Sequence, residues 1–143
     1  MAYPIAARYP TLAPHSESQA ELTVPAGETV SIKWMPSSRH EAYLPMFMTF
    51  YNTEPDVFNI TADHPDMKKH SVKLSEDFLT FGWRPLKFIV VTVESPLLLT
   101  IENTDTANDR FFGATIHHFA GPNDRIKRLA ERLEKELLAE TTP

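Results

Sequence analysis

Residues 20–34, AELTVPAGETVSIKW, alternate apolar and polar side chains on either side of a short break. Leu22 and Val24 alternate with Glu21 and Thr23; Val30, Ile32 and Trp34 alternate with Ser31 and Lys33. A period of two sorts side chains onto the two faces of a strand, whereas a helix needs a period near 3.6. Pro25-Ala26-Gly27 suits the connecting turn, with Pro in its second position and Gly in its fourth. The stretch therefore predicts a β-hairpin.

The same grammar continues. LPMFMTFYN (44–52) is apolar on both faces, as a buried strand is. VFNIT (57–61) and HSVKL (70–74) are shorter candidates. LKFIVVTVE (86–94) is rich in β-branched residues and reads as a central strand. Pro96 interrupts it, LLLTIE (97–102) resumes, NTDTANDR (103–110) is a polar loop, and FFGATIHHF (111–119) returns as a strand. About eight short strands over 20–120 predict a mainly β fold, an antiparallel sandwich or barrel.

The ends differ from this body. Residues 1–19 carry Pro4, Pro10 and Pro14 with Tyr3, Ile5, Tyr9 and Leu12 between them. Proline fixes φ and pushes its predecessor into an extended conformation, so the stretch predicts an extended arm of at most about 60 Å. It is more apolar than disordered segments usually are, so Tyr3, Ile5, Tyr9 and Leu12 are read as interface residues. Residues 121–143 predict a helix capped by Asn123 or Asp124 and ending near Glu140. Ile126, Leu129, Ala130, Leu133 and Leu137 form one apolar stripe on it. Arg125, Lys127 and Arg128 near its start and Glu134, Glu136 and Glu140 near its end oppose the helix dipole. The stripe must find a surface, either the flank of its own sheet or a neighbouring subunit. Ile126, Leu129, Leu133 and Leu137 are read as a second set of interface residues.

Composition narrows the function. The chain of 143 residues fits one domain and has no cysteine, which excludes disulfides and thiolate chemistry. A net charge of -5 without a basic cluster argues against nucleic acid, and no apolar run approaches a membrane span. The opening residues lack the pattern of a secretory signal. Twelve prolines, four glycines and no cysteine match the composition of heat-tolerant proteins.

Chemistry-bearing motifs are few. His117 and His118 are adjacent, so on a strand they face opposite ways and do not share a metal; His117 goes with Phe119, and His118 with Ile116. Asp63-His64-Pro65-Asp66 has no recognised ligand spacing, and Glu102, Asp105 and Asp109 lack that of an EF-hand. Ser37, His40 and Glu41 lie side by side in sequence, which is not how triads assemble. Trp34, Trp83, Tyr43 and Tyr51 are candidates for a sugar-stacking face, although Trp34 continues the Val30/Ile32 face and reads as core. Neither a catalytic residue nor a cofactor or metal site is assigned, and the chain is not read as an enzyme.

LTVPAGETVSIKW resembles the opening hairpin of cupredoxins and related β-sandwich modules. Those proteins hold copper through Cys, His and usually Met; with no cysteine here, the resemblance implies the sandwich and not electron transfer. The whole plan of β body, proline-rich arm and second terminal element resembles phage capsid decoration (cement) proteins and small jelly-roll coat proteins. That resemblance implies a structural virion protein on the particle surface, a homo-oligomer, commonly a trimer, whose terminal segments bind neighbours and a major capsid protein. Two other expectations stand beside it. One is a carbohydrate- or peptide-binding β-sandwich module. The other is a small metal-dependent enzyme built on His64, His70, His117 or His118.

Overall fold

Seven strands in two antiparallel sheets and two helices make up the computed structural model, which describes residues 15–86 and 88–141. Strands β1 (His15–Val24), β7 (Arg110–Pro122) and β3 (Glu41–Phe50) form one sheet in the order β1-β7-β3. Strands β2 (Thr29–Trp34), β6 (Leu97–Asn103), β4 (Phe58–His64) and β5 (Met67–Lys73) form the other, in the order β2-β6-β4-β5. A short helix, α1 (Glu76–Phe81), leads out of β5, and α2 (Asn123–Thr141) follows β7. No helix among the described residues is long and apolar enough to cross a membrane.

One apolar cluster takes residues from both sheets, which gives the body its sandwich-like character. Val24, Met48, Phe50, Phe112, Ala114 and Ile116 from the first sheet join Trp34, Phe58, Ile60, Leu97, Leu99 and Ile101 from the second. The predicted hairpin is present. Its turn, however, runs from Pro25 to Glu28, whose N–H donates to the Pro25 carbonyl at 3.0 Å. Gly27 is thus the third turn residue and takes φ 69°, the left-handed value that a type II turn requires there.

Two expectations are corrected. The described residues hold seven strands, not eight, and they form two sheets rather than a barrel. The missing strand is 86–94. Among its described residues the run pairs with β3 only through the single bridge of Val91 with Tyr43; Trp83, just before it, makes a second single bridge, to Met48. Pro85 and Pro96 bracket the run, proline cannot donate to a ladder, and Phe88 bends the chain with φ 66°. The segment still matters, because reciprocal bonds of 2.8–2.9 Å from Trp83 and Val91 occupy part of β3's outer edge. In addition, β1 starts at His15, inside the stretch expected as arm, and β7 runs on through Gly121 to Pro122.

Strand β7 is buried from Phe112 to Phe119 on both faces. The second sheet covers one face. Helix α2 covers part of the other, where Ile126, Leu129, Ala130 and Leu133 pack with Ala42, Leu44 and Phe119, and Met46, Phe88 and Val90 lie alongside. That settles where three stripe residues go. Ile126, Leu129 and Leu133, expected at an interface, are covered by their own sheet, because the outward residues of β3 and β7 beneath them are themselves apolar. The Asn123 N–H and side-chain amide bond the His40 and Arg39 carbonyls at 3.1 and 2.9 Å, which anchors the helix start to the β2–β3 loop. Leu137 and Leu138 near the other end are exposed.

Candidate functional site

Strand register builds a polar face on the outside of the four-stranded sheet. Pairing places Ser31, Thr100, Thr61 and Ser71 in one row across all four strands. The neighbouring row is Thr29, Glu102, Asn59 and Lys73. Asn59 Nδ2 donates to Glu102 Oε1 at 2.7 Å, Lys73 Nζ donates to Thr104 Oγ1 at 3.0 Å, and the Thr61 and Ser71 hydroxyls are in close contact. The residues of these rows other than Ser31, together with Val72, line a shallow groove of about 390 Å³. It offers hydroxyls, an amide, one carboxylate and one ammonium. These groups can hydrogen-bond a neutral polar ligand.

The outer face of the three-stranded sheet is chemically different. His117 is buried there, with Nε2 at 2.9 Å from Thr49 Oγ1 and Nδ1 at 3.5 Å from Glu17 Oε1. Its ring stacks on Phe47 at 4.4 Å and on His15 at 5.8 Å, and the Arg84 guanidinium lies 5.6 Å above the Phe47 ring. Burial pushes the His117 pKa down and His15 adds to that, while the Glu17 carboxylate opposes it.

His118 points the other way, into the core, as the alternation in FFGATIHHF requires. Its Nε2 lies 2.8 Å from Ser18 Oγ, and Trp34 and Tyr43 pack on the ring at 4.9 and 4.5 Å. Burial is the main cause that lowers its pKa, to about 4. His64 is also structural. Its Nε2–H points at the carbonyls of Val90 and Ser95, each 3.1 Å away, while Nδ1 accepts the Asp66 N–H at 3.1 Å.

The acidic loop after β6 is self-satisfied. Asp105 accepts from the Ala107 and Asn108 N–H groups and from Asn108 Nδ2, and pairs with Arg110 at 2.7 Å. The Ala107 N–H above all, then Arg110 and Asn108, hold its carboxyl well below the usual carboxylate range. Asp109 caps the Ala26 N–H at 3.0 Å. Among the described residues no cluster of three or more His, Asp or Glu is placed to hold a metal ion.

The expected sugar-stacking face is not assembled. Trp83 is 2% exposed and Trp34 packs with Tyr43 inside the sandwich. Tyr3, Ile5, Tyr9 and Leu12 lie outside the described residues. Of the helix set, Ile126, Leu129 and Leu133 are buried and Leu137 is exposed. The sequence reading missed His15, Glu17, Phe47 and Thr49 as companions of His117. Strand pairing unites them across some hundred positions, and only the faces, not the pairing, could be read from alternation.

Fold and faces define a small β-sandwich-like protein with one polar groove and one aromatic–histidine patch. Compared with family models, curated proteins and solved structures, the chain matches none of them.

Proposed function

We propose that this protein is a structural subunit of a virus particle, one that oligomerises and stabilises a capsid through contacts made by its N-terminal arm. The observation that carries the proposal is the placement of β1. This ten-residue strand lies at the edge of its sheet and pairs with β7 along its whole length. Its first residue, His15, lies 6.2 Å from the Phe119 ring. A proline-stiffened segment loses less entropy on docking than a flexible one, and several weak arms on one shell reinforce each other through effective concentration. Tyr3, Ile5, Tyr9 and Leu12 are the fasteners. Ile126, Leu129 and Leu133 of the helix set are buried against their own sheet, and Leu137 is exposed. The partners in this reading are further copies of the chain, as a trimer, and a major capsid protein, and neither a cofactor nor catalysis is needed. Deleting residues 1–14 is expected to leave the β circular-dichroism spectrum intact and to abolish oligomer formation. A truncated chain that assembles as the full one does would overturn the proposal.

The hydroxyl rows favour a second reading, a module that binds a neutral carbohydrate in the groove around Asn59, Ser71 and Glu102. In that case glycan-array binding is expected, and Asn59→Ala is expected to remove it without altering oligomeric state. An array without hits rejects this reading.

A further inference from the structure

We propose that His117 and His118 form an acid-operated latch on β1, so that protonation of the histidines at this corner releases residues 15–18 from β7. The inference does not rest on the assembly reading, because its test reads one strand and not the oligomer.

The geometry is a two-sided grip. Residues 15–18 pair with Phe119, His118, His117 and Ile116 of β7 in antiparallel register. Adjacent histidines on a strand project to opposite faces, so each holds β1 from its own side. On the outer face His117 stacks on His15 and faces Glu17, both from β1. Strand β3 supplies Phe47 and Thr49 to the same ring, with Arg84 as a further cation beyond Phe47. On the inner face His118 meets Ser18 of β1, Trp34 of β2 and Tyr43 of β3, none of them charged at neutral pH. A neutral ring with its proton on Nδ1, 3.4 Å from the Phe119 carbonyl, accepts the Ser18 hydroxyl at Nε2; an imidazolium keeps that contact only with the roles reversed, its Nε2–H donating to Ser18 Oγ.

Glu17, 3.5 Å from His117, offsets only part of the cost that burial puts on a proton there. The charge on His15, whose ring is stacked 5.8 Å away, adds to that cost. A proton on His118 puts a charge between the Trp34 and Tyr43 rings and out of water, and the charges on His15 and His117 oppose it further. Peeling residues 15–18 of β1 outward hydrates all three rings at once. The remainder of β1 stays, because Leu22 and Val24 are packed in the main core.

Hydrogen exchange of the full chain, corrected for the intrinsic pH dependence, tests this at about pH 7.5 and about pH 5. Protection of the 15–18 amides is expected to fall by at least about tenfold at the lower pH, because the open form binds more protons. Protection in β4 and β6 is expected to persist. The double variant His117→Gln/His118→Gln keeps hydrogen-bonding side chains that do not titrate here, and it is expected to hold β1 at both values. Unchanged protection at residues 15–18 overturns the proposal, as does loss in step with β6, which would mean global unfolding. Should the double variant not fold, the wild-type imidazole proton resonances decide: His117 and His118 must titrate together with β1 release, and titration without release refutes the latch.

Discussion

Asn103 ends β6 with its side chain 1% exposed and every polar atom in use. Its Nδ2 donates to the carbonyls of Val24, Pro25 and Asn108 at 3.0–3.3 Å, and Oδ1 accepts the Asp105 N–H at 2.9 Å. One amide thus ties the first hairpin turn to the loop before β7. Asn103→Ala strands those partners, and a loss of about 3 kcal/mol in urea unfolding is expected, at the upper end of the cost of an unsatisfied buried group. Gly113 is constrained by space. A Cβ there would lie 2.8 Å from the Tyr51 carbonyl oxygen and 2.7 Å from the Tyr51 ring. The backbone atom cannot step aside cheaply, so Gly113→Ala is expected to cost about 1–3 kcal/mol by the same measurement. For His118 the pH profile is the readout. Unfolded, its imidazole titrates at the ordinary 6.5; folded, it titrates at about 4. The unfolded chain therefore binds the proton first. Stability from this residue is complete above about pH 6.5 and is lost as pH falls towards 4, by on the order of 3 kcal/mol. Urea midpoints across that window should fall for the wild type and fall less for His118→Gln.

At the scale of elements, α2 shows what a stripe can and cannot say. Spacing alone identified Ile126, Leu129 and Leu133 as needing cover, and the structure covers them with Ala42, Leu44 and Phe119. The sequence was silent on which surface, because apolar outward residues on β3 and β7 look the same whether they meet a helix or another strand. Leu129→Ala is expected to destabilise the chain by about 2–5 kcal/mol in thermal or urea unfolding. The strands divide by the same logic. The 20–34 hairpin was legible because large apolar and polar residues alternate in it. The first half of β1, HSESQA, was not, since Ser16, Ser18 and Ala20 give its inward face no hydrophobic signal. The 86–94 run was misread for the opposite reason: composition promised a strand, while the flanking prolines and a positive φ at Phe88 prevent a continuous ladder. His117 and His118 were assigned to opposite faces correctly, because that depends only on the period of two. Their partners on β1 and β3 depend on register, which no local pattern carries.

For the whole molecule, two sheets and a helix enclose two apolar clusters, and the strand that begins the described chain sits at an edge. The assembly proposal assigns Tyr3, Ile5, Tyr9 and Leu12, which lie outside the described residues, to another surface. Light scattering coupled to size exclusion, on the full chain and on a chain lacking residues 1–14, tests it most directly. The account predicts a defined oligomer for the full chain and a folded monomer for the truncated one. A full chain that stays monomeric as concentration is raised, or a truncated chain that oligomerises equally well, would contradict it.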